Sequence, residues 1–492
     1  MRIKLNDTLS ILLKIAAAVV IGPFTYSIYS LPVTILALLS IIFLFYISLH
    51  QKNYFSFLMQ LFICNHFNYG YEIGGAFNLA ATIALIAHLF IHGKSFFAET
   101  SFNKPTIFMI VVLCIVEVLS LANSNTPTGL LISSSITFFN FFFLLFYCSK
   151  IRLDESHYVK IVQIIGIFFI YMFANALNQR YNFFHSPYEF FPNLGEDIVW
   201  ELDIPRSAGT LGNFEFYAEY SISVIALSLP GILSGSFKKV SIWFFFFTIL
   251  VSFLGLFAIV LSGTRSSILL LPVLIVMAIL FLGKRISVVN IGLGVVGVVL
   301  LFIVNDSYNF FDVEVFSKRS EQVNMNSLSL KSIMSGKDMN RGDIFEYGFK
   351  KIERSGGFFG DGYFTKRDQY ITAHFDKART DGIPDYHNLY MSAVVLWGYL
   401  GAFVLLFLFF SSIIRGFLLY FKLKSYNNYL VDLLLGFNLL FLFLMINQFK
   451  IQFIRDSNYF MVTLILLGFY NSLIYLLSTP ISVYPSAQTS KL

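Results

Sequence analysis

VSIWFFFFTILVSFLGLFAIVL (240–261), SGTR (262–265), SSILLLPVLIVMAILFLG (266–283): two apolar runs meet at a four-residue turn. A helix needs ~20 apolar residues to cross the hydrocarbon core of a membrane, and each run is close to that length. A chain that reverses within so short a turn must cross, turn and cross back. The stretch therefore predicts an antiparallel pair of membrane-spanning helices, with Arg265 in the turn at a membrane surface.

The same pattern extends outward in both directions. Apolar runs recur at roughly 8–28, 30–49, 53–67, 75–93, 105–123, 129–148, 157–178, 213–234, 240–261, 266–283, 286–304, 389–414, 429–449 and 457–478. The third is short and carries Asn65 and His66, which is compatible with a re-entrant segment. The first has a basic start at Arg2 and Lys4, so a cleaved signal peptide is the competing reading. With no clear small-x-small cleavage site before the next run, an uncleaved first helix is preferred. Hydrophobic residues make up 57% of the 492 and charged residues 13%, with a mean hydropathy of +0.73. Soluble domains are about half apolar and a quarter charged, so composition alone identifies a polytopic membrane protein.

Lysine and arginine in short loops set orientation. With a cytoplasmic N-terminus, the inner segments hold Lys52, Lys94, Lys104, Lys150, Arg152, Lys238, Lys239, Lys284, Arg285, Arg415, Lys422 and Lys424. The outer loops near 24–30, 68–74 and 124–128 hold none, and Lys450 and Arg455 in the last outer loop are the exception. Both termini are then inside. The loop at 179–212, the turn at 262–265 and the long stretch 305–386 are outside. That long stretch holds 25 of the chain's 62 charged residues, which singles it out as the place for chemistry or recognition. The expected fold is an all-α polytopic membrane protein with about 14 transmembrane helices (12–14) and one long, partly helical extracytoplasmic loop. Its expected segments are N-terminal helices 1–178, an outer loop 179–212, helices 213–304 with the Arg265 turn, the large outer loop 305–386, and C-terminal helices 387–492.

The net charge of +6 is accounted for by the inner loops and calls for no nucleic-acid partner. Cys64, Cys114 and Cys148 lie in or beside apolar runs and suggest neither a disulfide framework nor a metal site. His88 and His92 could share a helix face, but no third ligand accompanies them, so no metal is expected there. Glu117 reads as the one acidic residue deep in a span.

Three basic residues then fall on the expected outer surface. Arg206 precedes Ser207-Ala208-Gly209-Thr210-Leu211-Gly212-Asn213, where glycines let backbone approach a ligand and a guanidinium supplies a planar fork for phosphate. The alternative is a headgroup contact at a helix start. Arg265 in a short outer turn runs against the positive-inside bias, so an anionic ligand, a lipid phosphate or an ion pair must favour it. His387, before Asn388-Leu389-Tyr390, has an imidazole able to take a proton from a hydroxyl near neutral pH; a backbone-bonded interfacial histidine is the alternative. Within the long loop, Asn340-Arg341-Gly342-Asp343 reads as a helix start, with Phe345, Phe349 and Ile352 at helical spacing. Gly356-Gly357 and Gly360-Asp361-Gly362 read as tight turns first and ligand approach second.

The Arg206 segment, the Ser-Gly-Thr-Arg turn, the Arg341 helix with its Gly-x-Gly, and His387-Asn388 followed by Trp397-Gly398-Tyr399-Leu400-Gly401 occur in that order. Together they resemble the O-antigen ligase and polymerase superfamily of bacterial envelope glycosyltransferases, over about residues 200–420. Two departures stand out: Thr264-Arg265-Ser266 replaces the family's more usual Ser-Arg-Gly, and Asn213-Phe214-Glu215 lacks a common proline. The resemblance implies a multi-pass enzyme of the bacterial inner membrane with its site on the periplasmic side. It would use an oligosaccharide carried on undecaprenyl diphosphate, without metal, cofactor or nucleotide sugar. Arg206 and Arg265 would hold the diphosphate, Arg341 would assist, and His387 would be the base acting on the acceptor hydroxyl. Implied partners are the lipid-linked donor and acceptor, the bilayer, a flippase and a chain-length regulator. Polymerisation of repeat units is the preferred activity. Ligation to a lipid A core or a protein is the nearest rival, and a polysaccharide transporter the more distant one. Tyr181, Phe183, Phe184, Tyr188 and Trp200 are candidates for stacking on sugar rings.

Overall fold

The computed structural model describes residues 104–123, 139, 142–148, 153–181, 207–211, 213–287, 290, 292, 352–353, 357–360, 388–426, 428–455 and 457–478. The runs expected before residue 104, and most of the long loop, lie outside them. The long described helices are α1 (Lys104–Asn123), α2 (Glu155–Tyr181), α3 (Phe214–Ser234), α4 (Ile242–Ser262), α5 (Arg265–Leu282), α6 (Leu389–Leu423), α7 (Tyr429–Asn447) and α8 (Ser457–Ser478). Among the described residues there is no strand, and seven helices are long and apolar enough to cross a membrane. The expected all-helical membrane class is therefore observed.

Polar residues set the helix ends as the sequence pattern requires. Asn213 caps α3 by accepting from the backbone N–H of Glu215 (2.7 Å) and Phe216 (3.2 Å). Ser241, Asn388 and Asn428 do the same for α4, α6 and α7. The turn between α4 and α5 is shorter than the sequence indicated. Gly263 takes the left-handed conformation (φ +59°) that closes α4, Thr264 is extended, and α5 begins at Arg265.

α3 is the centre of the described bundle. It packs against α4 on one side and α7 on the other, with α5 and α2 beside it. Contact with α7 is close because Gly436 has no side chain; a Cβ there would lie 2.5 Å from the Leu227 carbonyl oxygen. α4 and α5 turn large apolar side chains outward, among them Trp243, Phe246, Leu269, Val276 and Leu280. Such a surface is unfavourable in water and suits contact with lipid chains.

One end of the bundle collects basic residues. Lys238 and Lys239 join α3 to α4, Lys284 and Arg285 follow α5, and Lys422 and Lys424 end α6. Arg285 pairs with buried Asp432 of α7 at 2.6 Å, and Asp432 also accepts from Ser234 of α3 at 2.6 Å, so three helices are tied there. The α4–α5 turn lies at the opposite end.

α6 differs most from expectation. It runs 35 residues, on the order of 50 Å at 1.5 Å per residue, longer than a membrane core requires. The helix is broken at Gly398 (φ +66°, ψ −175°). The break has an identifiable cause. Tyr399 N–H donates to the Gly357 carbonyl (2.9 Å), and a Cβ on Gly398 would lie 2.0 Å from the Phe358 carbonyl oxygen. Gly360 is equally tight against Leu396, whose carbonyl oxygen a Cβ would approach to 2.4 Å. Gly357 and Gly360, two of the loop glycines read as turns or ligand contacts, thus belong to a strap (357–360) seated on the α6 kink, while Gly356 and Gly362 lie outside the described residues. Beside the kink, fully buried Trp397 donates its indole N–H to Glu117 of α1 at 2.5 Å.

Glu117 is not the single buried acid that the sequence indicated. Glu219 in α3 and Asp432 in α7 are also buried within spans. Each has hydrogen-bonding or ionic partners contributed by other helices, which is how charged groups are tolerated at such depth.

Candidate functional site

The end opposite the lysines is built from four chain segments: 207–211, the α4–α5 turn, the start of α6, and the turn after α7. Ser207 N–H donates to the Leu261 carbonyl (3.1 Å), so the residue following Arg206 is fixed to the last turn of α4, four positions before Arg265. Gln179, near the end of α2, braces the same segment. Its side-chain oxygen accepts from the N–H groups of Ala208 and Gly209, both at 3.0 Å, and its amide donates to the Gly209 carbonyl at 2.8 Å. Ser207 Oγ also donates to Ala176 O of α2 at 2.9 Å. A left-handed Gly209 (φ +59°) makes this compact loop sterically accessible.

The start of α5 has no side-chain cap. Thr264 occupies the cap position but makes no side-chain cap; its hydroxyl donates instead to Phe214 O (3.4 Å). Ser266 and Ser267 in the first turn have buried hydroxyls with no hydrogen-bond partner among the described residues. An uncapped helix N-terminus offers backbone N–H groups and the positive end of the helix dipole. Arg265 at its first residue adds a positive charge where the dipole disfavours one, which an anion would offset.

At the same end of α3, the start of α6 rests on the turn after α7. Leu389 N–H donates to the Gln448 carbonyl (3.0 Å), Asn388 donates its side-chain amide to Phe449 O (3.2 Å), and Tyr390 OH donates to Met445 O (2.8 Å). These bonds place the residue after His387 on a rigid ledge. Lys450, the outer-loop lysine that ran against the charge pattern, pairs with Glu215 of α3 at 3.6 Å. That pairing supplies a structural reason for its presence.

The described residues reach the immediate neighbours of the expected site residues. Arg206, Arg341 and His387 themselves lie outside the described residues, as does the Arg265 side chain. The described neighbours of Arg206 and Arg265 share one turn, and the described neighbour of His387 sits at the same end of α3. The Asn340 helix start is outside the description, although Ile352 of the same pattern is helical and buried. Phe183, Phe184, Tyr188 and Trp200 are outside it, and Tyr181 is described only as the last residue of α2.

Part of the chain that includes the Arg265 turn and the α6 start is similar to a known family. Residues 250–406 match the O-antigen ligase family. The match spans 157 of the 492 residues, from within α4 to just beyond the α6 kink. It contains Arg265, Arg341, the Gly357–Gly360 strap and His387, whereas Arg206 lies outside it. It supports the ligase and polymerase superfamily resemblance carried by the motifs, and with it a multi-pass membrane enzyme of that general kind. No curated protein matches the chain.

Reasoning from sequence missed Gln179, Glu219, Gln448 and the Glu215–Lys450 pair. Gln179 belonged to a stretch read as loop, yet α2 continues to Tyr181. Glu215 and Glu219 are four apart, a spacing that places both on one helix face and was available as a signal.

Proposed function

We propose that the protein is a membrane glycosyltransferase that polymerises lipid-linked oligosaccharide repeat units, carried on undecaprenyl diphosphate, at the outer face of the bacterial inner membrane. The observation that carries the proposal is the uncapped α5 N-terminus with Arg265 at its first residue, fixed beside the segment that follows Arg206.

In this reading the arginines and the α5 N-terminus hold the donor diphosphate. The bond from the anomeric carbon to the diphosphate oxygen breaks, and the electron pair leaves with the diphosphate. Charge therefore grows where the guanidinium groups stand, and fixed donors stabilise it most where water is scarce. The acceptor hydroxyl oxygen forms the new bond to that carbon while His387 takes its proton. Attack opposite the leaving group inverts the anomeric configuration. Arg341 is placed as an auxiliary phosphate contact.

Transfer of a finished glycan to a lipid A core or a protein uses the same donor chemistry, and the family's description as O-antigen ligase favours that second reading. Purified protein given only a lipid-linked repeat unit distinguishes the two. A polymerase yields a ladder of lengths spaced by one unit. No ladder with the unit alone, but a single transfer when a lipid A core is added, would select the ligase.

The side of the membrane is tested separately. Single cysteines replacing Asp361 or Asn125, in a cysteine-free background, should react with an impermeant thiol reagent applied to the periplasmic face, and one replacing Lys284 should not. The basic residues gathered at the Lys284 end motivate this orientation. Labelling of position 361 only after membrane disruption would move the site to the other face.

A further inference from the structure

Glu219 is a buried acid with three side-chain partners, only 2% exposed and one and a half turns inside α3. Its Oε1 accepts from Tyr459 OH of α8 at 2.9 Å. Its Oε2 accepts from the amides of Asn447 and Gln448 at the end of α7, the latter at 2.9 Å. Gln448 is bonded at both ends of its side chain, because its Oε1 also accepts from Phe453 N–H at 2.7 Å. Its own N–H closes the last turn of α7 on Leu444 and Met445. The Gln448 carbonyl accepts from Leu389 N–H, two residues after His387.

This arrangement is more than a helix contact. α3 also carries Phe214 O, which accepts from Thr264 at the Arg265 turn, and Glu215, which pairs with Lys450. The first two turns of α3 are thus bonded both to the Thr264 turn and to the ledge on which the α6 start rests. Glu219 is the deepest of these bonds. A buried acid inside a span is costly and persists where it does a job for its partners.

We propose that Glu219 is a positioning residue for glycosyl transfer: through Gln448 it fixes the start of α6 at Leu389, two residues after His387, relative to the Thr264 turn. The inference rests on the proposed function above, in which His387 is the base. It acts by hydrogen bonding, so glutamine should substitute well. In Glu219→Gln the new side chain can turn its oxygen toward Asn447 and Gln448 and donate its amide N–H to the Tyr459 hydroxyl, so all three bonds are kept in altered form. Leucine keeps the volume and loses all three. Misplacement of a reacting group by about 1 Å can cost on the order of a hundred-fold in rate.

The test uses purified full-length protein in nanodiscs with a defined lipid-linked oligosaccharide. Glu219→Leu should bind one equivalent of donor with affinity within about twofold of wild type, yet transfer about ten- to a hundred-fold more slowly in single turnovers. Glu219→Gln should recover to within roughly threefold of wild type. A purely structural role would lower binding stoichiometry together with rate, and that outcome overturns the proposal. So does a Glu219→Gln variant as slow as Glu219→Leu, which would assign the effect to charge. Should Glu219→Leu fail to fold, Gln448→Met decides, since it cuts the same link and keeps the carbonyl. A wild-type rate in that variant rejects the inference. His387→Ala is run in parallel. If it transfers normally, the base assignment itself is wrong; if it is inactive while Glu219→Leu is fast, only the positioning role fails.

Discussion

Replacing His387 by glutamine should slow transfer by about a hundred- to ten-thousand-fold, the usual range for loss of a general base. Glutamine preserves the capacity to hydrogen-bond and removes the basicity. It therefore separates proton transfer from simple positioning, which alanine does not. Donor binding should be spared, because the diphosphate is assigned to other residues. The sign of the pH dependence follows from the same assignment. Only neutral imidazole can accept the acceptor's proton, so the wild-type rate should rise with pH as His387 loses its proton and then level off. Single-turnover transfer by wild type, His387→Ala and His387→Gln, at matched protein and across pH 5 to 8, measures both. Glutamine activity within a few-fold of wild type would reject the base and leave His387 as a contact to the backbone, even if alanine were inactive. The cap of α6 is supplied by Asn388, which accepts from Met391 N–H, so that bond survives replacement of the imidazole.

The second large effect concerns the arginines. Arg206→Ala or Arg265→Ala should each lower the rate by roughly thirty- to a thousand-fold, corresponding to about 2–4 kcal/mol of lost stabilisation at the leaving diphosphate. Lysine should restore part of this, since it returns the charge and not the bidentate fork. The two positions are expected to act on one ligand, because the residue after Arg206 is bonded to the last turn of α4, just before Arg265. The double alanine variant should then cost less than the product of the single effects, as groups serving one charge are coupled. Near-normal turnover by purified Arg265→Ala would remove it from the mechanism. Independent, multiplicative losses would indicate two separate anions.

The helical membrane class was legible because hydropathy over about 20 residues is a strong signal, and the bounds of α3, α4 and α5 fall within two residues of the apolar runs. The Arg265 turn was legible for the same reason. The α6 kink was not. Trp397-Gly398-Tyr399 is apolar enough to read as continuous helix, and its break depends on a carbonyl from residue 358, forty positions earlier in the chain. Glu219 was missed because its partners at 447, 448 and 459 lie more than 200 residues away. Long-range polar pairing inside a bundle leaves little local trace. Lys450 shows the converse case. It violated the charge rule in the sequence, and the violation pointed to a real partner, Glu215.

The strap at Gly357–Gly360 divides the long charged stretch into two unequal tethers. Residues 361–387 join the strap to Asn388 and to the ledge after α7, both of which are held in place. The sequence ahead of the strap is tethered at the kink instead. Insertions or deletions before residue 357 therefore leave the span available to the His387 segment unchanged, whereas the same edits after residue 360 alter it directly. The first tether is therefore free to vary in length without moving the start of α6, whereas the second has its length set from both ends.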